Sequence, residues 1–235
     1  MAALQFRPEP MQKAKNLSSI FNLLDELAGR ESPKLILLPE MCIGGYVLPD
    51  KDSYFESSEP QTGETFQLFS DWCRRNQTAV VYGYCESSND ELFNSQNYIS
   101  ADGSLLATYR KSHLFHFDLG KFTAGEQRAC IVKDLGRSFG LGICNDVNSD
   151  NYHMRLLSKK TDAVLISACW LKEDTFAPSY WLKRFHKYPA KVLISNIWGI
   201  QLKVCFAGRS SALSSSKEQI FSAASLGDAA VIAYC

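Results

Sequence analysis

The amino-acid sequence predicts a mixed α/β domain in which helices flank two stacked β-sheets. Apolar runs of strand length alternate with amphipathic stretches in the N-terminal half, and hairpin signals follow later in the chain. Roughly ten strand candidates emerge, which would crowd one open sheet and favour two. At 235 residues, 46% hydrophobic and 21% charged, the chain has enough apolar material for one large domain, expected to span 1–235, and is not a disordered sequence.

Residues 2–6 form an apolar run closed by Arg7-Pro8, a strand whose pairing stops where proline offers no N–H. From 11 to 28, apolar residues at Met11, Ala14, Leu17, Ile20, Phe21, Leu24, Leu27 and Ala28 make one helical stripe, with Gly29 as its expected stop. Residues 35–38 read as a strand buried on both faces and ended by Pro39. A loop rich in Gly, Pro, Ser and Asp is expected over 41–62, then a second amphipathic helix over 63–76. Residues 79–85 read as a strand, and 94–100 and 104–109 flank the hairpin turn Ala101-Asp102-Gly103. Residues 110–129 show no regular period. Strands follow at 130–133, 139–143, 163–167 and 192–196, with helices at 150–160 and 177–187, and the tail 204–234 suggests an antiparallel meander.

Lys+Arg and Asp+Glu both number 25, so there is no charge surplus to favour nucleic acid or an anionic membrane as partner. No window approaches the 18–20 apolar residues of a bilayer span, and the first residues lack the basic-then-apolar pattern of a secretory leader. Eight cysteines are scattered, without a CxxC pair or zinc spacing. They are expected to be reduced core thiols of a cytoplasmic protein, with no metal bound.

Three residues stand where buried strands run out: Glu40 after Leu35-Ile36-Leu37-Leu38-Pro39, Lys111 after 105–110, and Cys144 after 139–143. Strand ends are where α/β sheets open a crevice for ligands. Taken singly, Glu40 reads as a surface acid, Lys111 as a solvated base and Cys144 as core packing. Together an acid, an ammonium and a thiol can run acyl transfer. A thiol attacks a carbonyl as thiolate and needs a base at neutral pH; a desolvated carboxyl can be that base and later the acid. An ammonium and the N–H after the nucleophile can stabilise the oxyanion.

These residues sit in segments that resemble the nitrilase superfamily of carbon–nitrogen hydrolases. Leu38-Pro39-Glu40 with Gly44-Gly45-Tyr46 is similar to its glutamate segment. Tyr109-Arg110-Lys111-Ser112-His113-Leu114-Phe115 is similar to its lysine segment, and Gly140-Leu141-Gly142-Ile143-Cys144-Asn145-Asp146 to its nucleophile elbow. Leu4-Gln5-Phe6 with Asn16-Leu17, Ser167-Ala168-Cys169-Trp170 and Phe206-Ala207-Gly208-Arg209-Ser210 also resemble family positions, so the likeness covers nearly the whole chain. The three main segments, 71 and then 33 residues apart in the family's order, make the signal specific.

The resemblance implies a four-layer α-β-β-α sandwich of two mixed sheets, commonly paired into a homodimer or higher oligomer, with no cofactor. It implies Glu40 as general base and acid, Lys111 as oxyanion stabiliser and Cys144 as the nucleophile of a thioester. Two departures bear on specificity. Where many members carry a second glutamate before Phe-Thr-Pro-Gly, this chain has Asp118 before Phe122-Thr123-Ala124-Gly125, one methylene shorter. The Arg-Phe-Pro-Glu stretch after the nucleophile is replaced by residues 148–153.

Other residues take lesser parts. Asn145 would offer its backbone N–H, Asp146 would brace the elbow, and Trp170 and Tyr46 would line the substrate pocket. His113 would hydrogen-bond within its loop, while His116, His153 and His186 have no ligand spacing. Ser214-Ser215-Ser216 lacks the glycines of a phosphate loop. The expected activity is hydrolysis of a small linear carboxamide to acid and ammonia. N-carbamoyl hydrolysis or acyl transfer is the alternative chemistry, and a catalytically silent scaffold the alternative class.

Overall fold

The computed structural model describes residues 1–126, 128–173, 176–216 and 220–234; Cys235 and part of the expected meander lie outside them. The N-terminal half runs β1 (Ala2–Gln5), α1 (Lys13–Glu31), β2 (Leu35–Leu37), α2 (Lys51–Glu56), α3 (Glu64–Asn76), β3 (Ala79–Ser88), β4 (Glu91–Ile99) and β5 (Leu105–Arg110). The chain continues through β6 (Cys130–Asp134), β7 (Arg137–Ile143), a 3-10 turn (Cys144–Asn148), α4 (Asp150–Leu157), β8 (Ala163–Ala168), α5 (Ala177–Phe185) and β9 (Lys191–Asn196). It closes with β10 (Trp198–Gln201), β11 (Val204–Ala207), β12 (Ser211–Leu213), β13 (Ile220–Ser222) and β14 (Ala229–Ile232).

Two six-stranded mixed sheets result, ordered β14-β1-β2-β3-β4-β5 and β13-β12-β9-β8-β7-β6. Each has a parallel centre, β1-β2-β3 or β7-β8-β9, flanked by antiparallel strands. The period-2 alternation of a strand sends its side chains to opposite faces. Ala3, Leu35, Leu37, Ala79 and Val81 accordingly share one core with Val132, Phe139 and Leu141 of the second sheet. Their neighbours Leu4, Ile36, Leu38, Val80 and Tyr82 instead meet Leu17, Ile20 and Leu24 of α1 and Phe69 and Trp72 of α3. On the far side, Tyr152 and Leu156 of α4 and Trp181 and Phe185 of α5 cover the second sheet. The layers are therefore α-β-β-α, as expected.

Polar bonds pin the two sheets in one register. Gln96 of β4 donates to the Ser167 hydroxyl of β8 at 2.8 Å, and Ser167 donates on to the Leu38 carbonyl at 2.7 Å. The Ser195 hydroxyl of β9 donates to the Leu4 carbonyl. Groups this deeply buried must be paired, so relative sliding of the sheets would break them at a cost of ~1–3 kcal/mol each.

Several boundaries differ from the sequence reading. Helix α1 continues past Gly29, which is exposed and meets no side chain, and ends at Ser32, left-handed at φ 44°, where Pro33 forbids another turn. The loop 41–62 contains α2, nucleated by the Asp50 carboxylate accepting from the Ser53 N–H at 2.9 Å. Strands β3 and β4 are longer than expected because Asn89 and Asp90 (φ 50° and 62°) form a tight hairpin turn. The tail is not one meander. Strands β10 and β11 form a separate hairpin, β12 and β13 extend the second sheet, and β14 crosses to pair with β1.

Gly142 of β7 gives way to Tyr152, whose hydroxyl donates to the Leu141 carbonyl at 3.1 Å. A Cβ there would fall inside the Tyr152 hydroxyl and lie 2.7 Å from its Cζ and 2.8 Å from Ile166 Cδ1. Gly142→Ala should destabilise the fold by ~1–3 kcal/mol through overpacking. Calorimetry should show this as a Tm lowered by roughly 2–12 °C for a domain of this size.

Candidate active site

Glu40 enters where β2 runs out. Leu38 still donates to the Val81 carbonyl at 2.7 Å, Pro39 has no N–H to give, and the chain turns at Glu40. Gly83 of β3 passes close beneath, where a Cβ would lie 2.7 Å from Glu40 Cα. Lys111 is the first residue beyond β5, and its N–H donates to the Asn94 carbonyl at 2.8 Å. Cys144 is the first residue beyond β7 and holds a left-handed backbone (φ 42°), an uncommon state for a residue with a side chain and typical of strained functional turns.

The structure brings Glu40, Lys111 and Asp118 into direct contact. Lys111 Nζ lies 2.8 Å from Glu40 Oε1 and 2.7 Å from Asp118 Oδ2, with all three side chains sealed from solvent. The shorter aspartate reaches because its loop draws it in. Its Oδ2 accepts from the Phe115 N–H at 2.8 Å and its Oδ1 from the Tyr46 hydroxyl at 3.0 Å. Tyr46, expected on the pocket wall, is instead buried behind Asp118, with the Lys111 ammonium 5.6 Å from its ring centre. Two of the three ammonium hydrogens are engaged, which leaves one for a further acceptor.

Burial and charge set the protonation states. Desolvation raises the Glu40 carboxyl above its ordinary range. Lys111 opposes that rise, but Asp118 already neutralises the same ammonium, so Glu40 is the second carboxylate on one cation. Burial alone would depress Lys111, yet Glu40 and Asp118 together hold it well above the usual lysine value. The Cys144 thiol is pushed well up by burial and then by Glu40, against the pull of Lys111 and a hydrogen bond from the Cys169 backbone. At neutral pH it is a thiol.

Cys144, 7% exposed, opens onto a cavity of about 220 Å³. Phe115, Asn145, Asn148, Cys169, Trp170, Leu171 and Tyr180 complete the wall, so among the described residues it carries no charged side chain. Trp170 packs on Tyr180 and Trp181, with ring centres 5.5 and 5.8 Å away, and its backbone N–H donates to Asn196 Oδ1 at 2.7 Å. The Asn145 side chain is occupied as well, donating to the Leu114 carbonyl at 3.0 Å and accepting from Asn148 at 2.8 Å.

Asp146 ties the elbow to the lysine loop. Its Oδ2 accepts from the Ile143 N–H (2.9 Å) and the Tyr109 hydroxyl (2.8 Å), its Oδ1 from the Ser112 hydroxyl (2.9 Å) and the His113 N–H (2.8 Å). His113 was expected to bond within its loop; its backbone N–H instead reaches Asp146 of the elbow, while its Nδ1 finds no partner among the described residues. His153 bonds the Val147 carbonyl at 2.7 Å, behind the elbow. Among the described residues no group of three or more His, Cys, Asp or Glu could hold a metal ion. The seven described cysteines are free thiols.

The sequence reading passed over two neighbours of the acid. Asn94 Nδ2 donates to Glu40 Oε1 at 2.7 Å, and the Cys169 thiol donates to the Glu40 carbonyl at 3.2 Å. The signal for Asn94 was its place in Asn94-Ser95-Gln96-Asn97, a polar run inside a strand where an edge hairpin offers no reason for burial.

The carbon–nitrogen hydrolase family model matches residues 1–212. The chain belongs to the carbon–nitrogen hydrolase family. This hydrolase is 29% identical over 214 residues to a "hydrolase in pqqF 5' region" of Pseudomonas protegens, across 90% of this chain and 74% of that protein. It is 25% identical over 253 residues to a protein N-terminal amidase of Schizosaccharomyces pombe, across 88% of each. An omega-amidase of Mus musculus is 31% identical over 145 residues, and there the match spans only 51% of the relative. In structure it resembles an amidase of Nesterenkonia AN1 from the nitrilase superfamily, with TM-score 0.88, 20% identity, and coverage of 98% of this chain and 88% of that one. That likeness fixes the shared fold of two mixed sheets with surrounding helices.

Asp146→Ala should strand four donors in the interior at once. Urea unfolding is expected to show a loss of at least about 3 kcal/mol, from buried donors left without an acceptor. A change below about 1 kcal/mol would mean that Asp146 does not hold the elbow to the lysine loop.

Proposed function

We propose that this hydrolase cleaves the C–N bond of small, uncharged linear carboxamides, giving acid and ammonia through a thioester on Cys144. The observation that carries the reading is the buried Lys111 ammonium clamped between Glu40 and Asp118, near enough to the Cys144 thiol for all three charges to act on it. Ammonium and carboxylates are costly to bury and serve folding poorly compared with apolar packing, so their concentration beside a thiol supports a catalytic purpose.

In the first step the Cys144 thiol gives its proton to Glu40 as sulfur bonds to the amide carbon. The carbonyl electron pair moves onto oxygen, which accepts from the third Lys111 hydrogen and the Asn145 backbone N–H. Collapse breaks the C–N bond; the nitrogen takes the proton from Glu40 and leaves as ammonia. Water, losing a proton to Glu40, then attacks the thioester, and sulfur departs and recovers that proton, releasing the acid. Asp118 neutralises and orients Lys111 throughout. Because Cys144 rests as a thiol, the base is indispensable.

The wall of the cavity supports the substrate class. With aromatic and amide side chains and no described cation, it offers nothing to neutralise a substrate carboxylate, and its volume suits an acyl group of a few heavy atoms. Relatives named amidase support amide chemistry as the first reading, although relatives named nitrilase stand beside them.

An ammonia-release screen over small neutral amides, carbamoyl compounds and amides bearing a distal carboxylate tests this. Neutral amides should turn over fastest, and Cys144→Ser should lower the rate at least about a thousandfold while the protein stays folded. Wild-type ammonia release by Cys144→Ser would refute the nucleophile. The pH profile has a defined sign. A raised Glu40 carboxyl ionises later, so kcat/KM should climb with pH through a limb above the ordinary glutamate range and fall away below it. A rate that is flat down to pH ~4 would exclude Glu40 as base.

A further inference from the structure

We infer that Asn94 is a positioning residue that divides the labour of the two Glu40 oxygens: Oε1 is tied down, and Oε2 carries the proton between Cys144 and the departing nitrogen. This rests on the amidase reading above and adds to it a residue and an atom.

Asn94 lies within β4, 1% exposed, and projects toward the end of β2. Its Nδ2 donates to Glu40 Oε1 at 2.7 Å, and Lys111 Nζ meets the same oxygen at 2.8 Å. A carboxylate oxygen has two lone pairs in its plane, so Oε1 is filled. Oε2 is equally buried and accepts from no described residue. A structural carboxylate would be expected to satisfy both oxygens, since each unpaired one carries a desolvation penalty. A carboxylate that must accept and return a proton needs one oxygen open.

Asn94 is also spent on little else. Its Oδ1 has no partner among the described residues, so the bond to Glu40 is the one polar contact seen for that side chain. Its backbone carbonyl accepts from the Lys111 N–H at 2.8 Å. One residue of β4 therefore sets the position of both the base and the ammonium.

The charged and titratable groups facing Glu40 are Lys111 beyond β5, Asp118 and Tyr46 from their loops, Cys144 beyond β7 and Cys169 beyond β8. Asp118 and the two thiols in their ionised forms oppose a charge on Glu40; Lys111 and Asn94 favour it. Removing the Asn94 donor takes away support for the carboxylate alone.

The test is the pH dependence of iodoacetamide alkylation at Cys144, followed by mass spectrometry of its peptide, which needs no knowledge of the substrate. In wild-type protein the rate should fall on the acid side as Glu40 protonates. Asn94→Leu should move that limb upward by about one pH unit, the size of one lost hydrogen bond to a charged group, and Asn94→Asp at least as far. In Glu40→Gln the limb should vanish, and adding Asn94→Leu should then change the rate by less than about twofold. A limb unmoved in the Asn94 variants, or an equal loss with and without Glu40, would reduce Asn94 to packing and overturn the inference alone. Wild-type labelling indifferent to Glu40 would overturn the amidase reading and this inference together. If Asn94→Leu does not fold, the isosteric Asn94→Asp carries the same comparison.

Discussion

A lysine ammonium sealed from water, held by two carboxylates, is the constraint on which the site depends. An isolated ion of this size cannot be placed in a protein interior, and the clamp of Glu40 and Asp118 is what makes Lys111 tenable there. Burial is what chiefly raises the Glu40 carboxyl and the Cys144 thiol; Asp118 adds to the first and Glu40 to the second, and Lys111 opposes both. The same burial holds the Glu40 carboxyl above the range of a surface glutamate. Stability and reactivity draw on one set of charges.

The clamp is assembled from parts that only the two-sheet fold brings together. Glu40 and Lys111 leave the ends of β2 and β5 in the first sheet, and Cys144 leaves β7 in the second. Their spacing is therefore fixed by how the sheets stack. The Gln96–Ser167–Leu38 relay lies between the strands that carry the acid and the pocket wall, and Asp146 locks the elbow onto the lysine loop. The polar core is thus more than a satisfied interior. It holds Glu40 and Asp118 in contact with Lys111 and keeps the Cys144 thiol within reach of the Glu40 and Lys111 charges, all from distant stretches of chain.

Much of this was legible in the sequence because strand ends announce themselves. Pro39, and the breaks in apolar period at Lys111 and Cys144, mark where backbone pairing stops, and the order of the three segments pointed to the family. Asp118 was visible as a residue, but its reach was not, since it depends on Tyr46 and the Phe115 N–H, two contacts made across a loop without period. Tyr46 was expected to line the substrate pocket; its hydroxyl bond to Asp118 was not legible for the same reason. Asn94 was missed because a mid-strand asparagine carries no local signal beyond its polar neighbours; its meaning is tertiary. The tail failed as a meander because strands of three or four residues take their partner from the surface they reach, and β14 found the edge of β1 rather than its sequence neighbours. Helix α1 overran Gly29 since an exposed glycine costs only ~1 kcal/mol, and the turn beyond it is closed by the Arg30–Glu26 pair and by the Ser32 N–H on the Ala28 carbonyl.

The most direct measurement is acid quenching during turnover of a small neutral amide, followed by peptide mass spectrometry. The chemistry derived from this site predicts an acyl group on the Cys144 peptide, released by hydroxylamine as a thioester is, and absent from the other cysteines. Sustained ammonia release with no acyl adduct on Cys144, or with the acyl group carried by another residue, would contradict it.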